Sequence, residues 1–391
     1  MTNPSERIHS LDAMRAVLMT LGILVHSAQV YNPDMSWLIY SSSNHWSMKI
    51  LIDVIHAFRM PAFFLVSGYF MLLLLRRQDT TSYLVVRLKR ILIPLVASLV
   101  TLNVAQFYFL EAQNWLGPMT AQERIGIFTS HLWFLEYLII YLLIGVAFYC
   151  LIQRAGGFRL HFIISNIALF SPGAFVLAVP LISIGVQVLP YLGIDIYQQY
   201  LGVISLQRLI NYLPFFGIGA LLCVHSQALS IWQRYPISRS LMWISVFFIA
   251  KFFLANKPSD SLVLSSLEYY ANTLVVLPCV LIAMNLFHRF FSRKNTIMQY
   301  ISQASYTIYL FHHILVIGFG VLLMETDLHP LVEYLGLVTV VLALSLVLHH
   351  WIIQRSILLG FLFNGRRKPA NKLEHSNHEI LEQEGPRLKV L

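Results

Sequence analysis

Residues 11–30 read Leu11-Asp12-Ala-Met-Arg15-Ala-Val-Leu-Met-Thr-Leu-Gly22-Ile-Leu-Val-His26-Ser-Ala-Gln-Val30, and this stretch decides the fold. It is long and apolar enough to cross a hydrocarbon layer about 30 Å thick. It nevertheless carries an arginine and a histidine. Ionisable groups in lipid are costly, so two of them on one spanning helix mark a functional site, with glue between helices as the plainer alternative. Arg15 and His26 are eleven residues apart. That is about 16 Å along a helix and close to three turns, so both side chains point the same way. Asp12 and Gly22 fall near the same stripe. The expectation is a charged group near one membrane face and an imidazole near mid-bilayer.

The rest of the chain repeats the pattern. Its 391 residues are 57% hydrophobic and 12% charged, with a mean hydropathy of +0.67. That is the profile of an integral membrane protein, not a soluble domain. About ten runs are long enough to span: Leu11–Val30, Met48–Leu75, Ile91–Leu110, Leu132–Ile152, Phe162–Leu189, Leu209–Val224, Leu241–Leu254, Leu274–Phe290, Ile297–Met324 and Leu331–Ile357. Pro172, Pro180 and Pro190 interrupt or end the fifth, and the seventh is short. The fold class expected is all-α, a polytopic bundle of about ten transmembrane helices.

Loop charge orients it. Alternate loops are basic, with Arg76, Arg77, Arg87, Lys89 and Arg90, then Arg154 and Arg159, Arg234 and Arg239, Arg289, Arg293 and Lys294, and finally Arg366, Arg367 and Lys368. The opposite loops hold Asp34, Glu111, Glu123, Asp195, Asp260, Glu268, Glu325, Asp327 and Glu333. The positive-inside rule then puts both termini in the cytoplasm. The net charge of +9 follows from this polarity and gives no reason to expect nucleic acid as a partner. Cys150, Cys223 and Cys279 stand alone, which suggests neither a disulfide framework nor a metal site. The first run is too long for a signal-peptide core. No internal repeat is evident, which weighs against an inverted-repeat transporter. Residues 1–363 are expected to form one membrane domain, and the polar residues 364–391 a flexible cytoplasmic tail.

Within this frame, His26 is a candidate base and Asp12 a candidate partner for Arg15, since buried charges need partners. The second run holds His56-Ala-Phe-Arg59-Met-Pro-Ala-Phe-Phe-Leu-Val-Ser67-Gly68-Tyr69. His56 and Arg59 are one turn apart. Arg59 is too deep for an interface anchor, and an unpaired guanidinium there is expensive. Ser67 and Gly68 suit close helix packing. Arg76, Arg77, Arg87 and Arg90 gather at one mouth, either as topology signals or as a dock for a phosphate-rich molecule such as coenzyme A. His131-Leu-Trp133-Phe-Leu135 opens the fourth run beside Glu136, with Trp133 an interface-belt residue by default. Ser305-Tyr306-Thr-Ile-Tyr309-Leu-Phe-His312-His313 lies in the ninth. Tyr306, Tyr309 and His313 approximate a one-turn ladder, fit to line a sugar site or to form a buried polar network. His349 and His350 have no evident partner and read as structural.

Taken together, Leu11-Asp12-x-x-Arg15 with His26, Phe-Phe-x-x-Ser-Gly-Tyr69, the Arg87–Pro94 segment, His-Leu-Trp-Phe-Leu135 and Ser-Tyr-Thr-Ile-Tyr-x-x-His-His313 resemble the membrane acyltransferase-3 family from the first span to the last. Phe58–Phe64, Tyr212–Phe216 with Gly219-Ala220, and Leu358–Gly365 narrow the likeness to members that succinylate osmoregulated periplasmic glucans in the inner membrane of Gram-negative bacteria. The resemblance implies a multi-pass inner-membrane O-acyltransferase. His26 would be its catalytic base, with Arg15 and Asp12 as companions. Arg87 and Arg90, with Arg76 and Arg77, would receive the phosphates of acyl-CoA. Arg59 would face the thioester or a succinyl carboxylate, since its fork fits a carboxylate. Ser67, Trp133, Glu136, Tyr306, Tyr309, His312 and His313 would line the acceptor or acyl pocket. No resident cofactor or metal is implied; succinyl-CoA is the donor substrate. The implied partners are membrane lipid, a periplasmic glucan and acyl-CoA, with self-association or association with glucan synthesis proteins in addition. The competing expectations are an O-acetyltransferase for another exported glycan, a secondary transporter and a glycan flippase.

Overall fold

The computed structural model describes residues 8–154, 171–200, 204–254, 262–326 and 328–365. Arg159, Asp260, Asp327 and the expected tail from Arg366 lie outside them. Among the described residues, ten helices are long and apolar enough to cross a membrane. They are α1 (His9–Val30), α2 (Trp46–Leu75), α3 (Thr80–Ala112), α4 (Ala121–Arg154), α5 (Pro172–Leu192), α6 (Leu206–Val224), α7 (Ile237–Leu254), α8 (Val263–Phe291), α9 (Thr296–Leu323) and α10 (Pro330–Ile353). A short helix, α11 (Ile357–Asn364), follows. The departure from all-α among the described residues is a small antiparallel pairing of Gln199–Tyr200 with Ile204–Ser205.

The helix ends follow local chemistry. Asp79 caps α3 by accepting from the Ser82 N–H, so α3 begins at Thr80 and carries Arg87, Lys89 and Arg90 on its first turns. Sequence reading treats these residues as a loop, because the charges interrupt the apolar run. A capping box of Thr120 and Glu123 starts α4. Pro172 sits in the first turn of α5, where its missing N–H costs no helical bond. The expected start of this span, at Phe162, lies outside the described residues. The seventh span is longer than its apolar core, because Ile237–Ser240 extend it. Phe248, Phe252 and Phe253 of this helix are exposed, a surface suited to lipid.

Glycines set the tightest crossings. A Cβ on Gly68 would lie 1.9 Å from the Phe216 carbonyl oxygen, and one on Gly219 would lie 1.8 Å from that of Leu65. Helices α2 and α6 therefore touch backbone to backbone, as small-residue pairs allow in membranes. Ser67 differs from its neighbour and faces a cavity. On α1, Gly22 makes room for side chains instead: its missing Cβ leaves space for Arg59 of α2 and His312 of α9. The bundle core is thus hinged on α1, α2 and α9, and this contact positions the candidate site.

The end of the chain is also built in. His349 is buried and bonds both Thr307 and Gln354, partners that its sequence does not announce. Asn364, on the tail side of the boundary expected from sequence, ends α11. Gly365 caps that helix at φ +61° against the backbone of Arg90. Cys150, Cys223 and Cys279 are free thiols.

Candidate active site

Towards the last turns of α1, His26 meets a cluster of rings. His313 lies 4.9 Å away, His312 5.3 Å, and Trp37 stacks at 5.6 Å with planes 22° apart. His131 stacks on His313 at 4.6 Å. Helix α4 brings His131 there because it breaks into a short turn over Ser130–Leu132, with Ser130 at φ +49°. That backbone region is strained for a residue with a side chain.

Hydrogen bonds fix which nitrogen of His26, His312 and His313 holds the proton, while neither buried ring nitrogen of His131 has a hydrogen-bond partner among the described residues. The Gln29 Oε1 accepts from His26 Nδ1 at 2.9 Å, so His26 Nε2 carries the lone pair. Among the described residues nothing bonds that Nε2, and His26 is half-buried while His131, His312 and His313 are enclosed. His313 is saturated: Nδ1 donates to Gln106 Oε1 at 2.7 Å, and Nε2 accepts from Ser130 at 3.1 Å. His312 donates from Nδ1 to the Tyr309 carbonyl at 2.7 Å, which leaves a buried Nε2 lone pair without a partner. An open imidazole lone pair held in one tautomer is what a general base requires.

Below the histidines sits Arg59, only 4% exposed. Its Nε donates to the Leu18 carbonyl at 3.0 Å. Among the described residues no carboxylate lies within ion-pair distance of it. Its guanidinium and the His312 Nε2 flank Gly22 from two sides.

Farther along α1 lies a cavity of about 280 Å³, lined by Arg15, Arg87 and Arg90 at its charged part and by Phe63, Phe134 and Tyr306 among its aromatic walls. Phe63 is one turn from Arg59. Phe134 meets Tyr309 at 5.8 Å, and Tyr309 donates to the His131 carbonyl at 2.7 Å. The inner wall of the cavity therefore adjoins the Arg59 layer, which adjoins the histidines.

The sequence-predicted residues divide between these places. His26, His312 and His313 come together as one cluster. Arg15 does not join His26; it lies at the cavity with Arg87 and Arg90, bonded to Asp12 at 3.5 Å. His26 stands four residues from the end of α1, about 6 Å by helical rise. It is thus near one end of the helix and not at the mid-depth expected. Arg76 bonds the Cys223 carbonyl and does not line the cavity, and Arg77 is exposed beside it. The expected ladder keeps its first step, with Tyr306 stacked on Tyr309 at 6.4 Å and planes 18° apart, while His313 joins the histidines; Tyr306 and Ser67 line the cavity and Tyr309 bonds the His131 carbonyl. Trp133 stacks on Tyr212 beneath Arg208, and Glu136 holds a buried, unbonded Oε2. His56 is exposed although Arg59, one turn on, is buried.

His131, Trp37, Gln29, Gln106 and Ser130 are the members that sequence reading leaves without a role. His131 stands in a quoted motif beside a more conspicuous tryptophan. Trp37 lies in a loop, where apolar periodicity gives no signal.

The described residues contain no group of His, Cys, Asp and Glu fit to hold a metal. Compared with known proteins, the family described as an acyltransferase domain, Acyl_transf_3, matches residues 8–350. Relatives named Glucans biosynthesis protein C, from Salmonella schwarzengrund and Salmonella typhi, are each 29% identical over 95% of this chain and 97% of their own. No solved structure matches.

Proposed function

Because the chain belongs to the acyltransferase-3 family, we propose that it moves a succinyl group from cytoplasmic succinyl-CoA to a glucose hydroxyl of a periplasmic glucan. The reading places the protein in the bacterial inner membrane with the basic helix ends in the cytoplasm, by the positive-inside rule. One observation carries it. The basic cavity, the buried Arg59 and the open Nε2 of His26 follow one another along α1. The relatives' name supports a glucan as acceptor.

On this reading the donor's phosphates sit at Arg15, Arg87 and Arg90, and its arm lies along Phe63, Phe134 and Tyr306. The thioester lies beneath Arg59. His26 Nε2 takes the proton of the incoming hydroxyl as its oxygen attacks the thioester carbon. Arg59 faces the negative oxygen that forms there. The C–S bond then breaks, and the proton passes from His26 to the leaving thiolate. The products are the glucan ester and free coenzyme A. A guanidinium with no carboxylate partner among the described residues also favours a donor that brings its own carboxylate, succinyl over acetyl.

The test is mass spectrometry of periplasmic glucans from cells lacking the protein, complemented with wild type or His26→Ala. Succinyl increments with wild type only are expected, since loss of a general base costs about 10²–10⁴-fold. Acetyl increments would overturn the donor. Unmodified glucan with well-expressed wild type would remove the acceptor. Full modification by His26→Ala would remove the base.

A further inference from the structure

We propose that Asn364, which lies beyond the matched domain, binds a neutral oxygen of the donor, an amide carbonyl of the thioester's arm, through side-chain N–H groups that a buried relay aims into the basic cavity. The proposal rests on the acyl-CoA reading of that cavity.

The relay has one consistent sense. Gln354 Nε2 is a donor, so His349 Nε2 accepts from it at 2.9 Å. The neutral imidazole then has its proton on Nδ1, which donates to Thr307 Oγ1 at 2.8 Å. The single hydroxyl hydrogen of Thr307 goes on to Asn364 Oδ1 at 3.2 Å. Asn364 Nδ2 is left with two hydrogens and, among the described residues, no partner, while the residue lines the cavity with Arg90 and Tyr306. Thr307 and His349 are both fully buried. A buried polar chain is costly unless every member is satisfied, and the member at the cavity end of this one is Asn364.

The backbone is shaped to the same purpose. Residues Leu348–Ile353 wind as a π-helix, which places His349 in the relay; such segments recur at functional sites. Gly365 stops α11 in the left-handed region, and a Cβ there would lie 2.9 Å from Arg90 Cα. Only a glycine lets Asn364 come down beside Arg90. The arginines of the cavity already supply charge for phosphates. An uncharged amide adds no charge and matches a neutral carbonyl, of which the donor's pantetheine arm has two.

Full-length protein in detergent should be titrated with coenzyme A and, separately, with adenosine 3′,5′-bisphosphate, which keeps two of the three phosphates and has no arm. Asn364→Ala is expected to raise the Kd for coenzyme A about three- to tenfold, as for one neutral hydrogen bond. It should leave the bisphosphate unchanged, whereas Arg90→Ala weakens both. Asn364→Asp keeps the oxygen that Thr307 needs while removing the N–H donors, and serves if the alanine variant does not fold. Equal weakening of both ligands by Asn364→Ala would make the contact a phosphate contact and overturn the assignment. Unchanged coenzyme A binding would overturn it too, with the donor reading intact. Failure of wild type to bind coenzyme A would overturn the donor reading, and this proposal with it.

Discussion

Gly22→Ala tests whether the positions of Arg59 and His312 matter. A Cβ there would lie 2.7 Å from Arg59 Nη2 and 2.8 Å from His312 Nε2. Ordinary contact is about 3.5 Å, so each group has to retreat by roughly 0.7 Å. Neither is free to do so. Arg59 is anchored at Leu18 through Nε, and His312 at the Tyr309 carbonyl through Nδ1. Loosening one such bond costs about 0.5–1.5 kcal/mol. Replacing a mid-helix glycine by alanine returns about 1 kcal/mol, so the melting temperature should barely move. The site should suffer far more, because misplacement of the order of 1 Å costs about 10²-fold in rate. Acyl-CoA-dependent thiol release in proteoliposomes, beside a thermal melt, reads both quantities. Wild-type turnover at unchanged melting temperature would refute the reasoning, since Arg59 and His312 would then not need these positions. Loss of turnover in step with loss of folded protein would reduce the contact to packing.

Arg87→Ala should raise KM for acyl-CoA about tenfold with a shallower salt dependence, and Arg76→Ala should not, because Arg87 lines the cavity and Arg76 does not; steady-state kinetics at two ionic strengths compare them. Trp37→Ala removes the ring stacked on His26 and should raise KM for glucan roughly three- to tenfold, the value of about one aromatic contact, with acyl-CoA binding unmoved in the same assay. Gly219→Ala drives a Cβ into the Leu65 carbonyl, a backbone atom that cannot step aside. It should cost about 3 kcal/mol or more, seen as loss of monodisperse protein on size exclusion.

The spans were legible because length and hydropathy are enough to define them, and the face shared by Arg15, Gly22 and His26 followed from helical spacing alone. The partition of that face was not. Spacing puts Arg15 and His26 in line but says nothing of what meets each turn, and Arg15 goes to the cavity because α3 brings Arg87 and Arg90 against it. Arg76 and Arg87 look alike as loop charges; the Asp79 cap makes one helical and leaves the other at the end of α2. His131 reaches the cluster through a turn with positive φ at a serine, a conformation no residue preference predicts. Asn364 reads as tail until the relay from His349 is traced, and that relay joins residues separated by 42 and 57 positions in sequence.

The cost of Arg59 explains why these parts stand in this order. A guanidinium inside a membrane bundle without a carboxylate partner is destabilising by several kcal/mol, and among the described residues little of that is offset by the bond to the Leu18 carbonyl. A purely structural arginine would be expected to carry its own anion. On the proposed reading the anion comes with the substrate, first as a succinyl carboxylate and then as the charge that develops on the thioester oxygen on attack. The charge must therefore sit between the end that receives phosphates and the end that receives the hydroxyl. One helix meets this requirement because its successive turns present Arg15, the Leu18 carbonyl, Gly22 and His26 on one face. Defects at the two ends should accordingly separate, KM for acyl-CoA at Arg87 and turnover at His26. A change at Arg59 should lower turnover with succinyl-CoA more than with acetyl-CoA, since only the succinyl donor loses a carboxylate partner as well; equal losses with the two donors would confine Arg59 to the thioester oxygen.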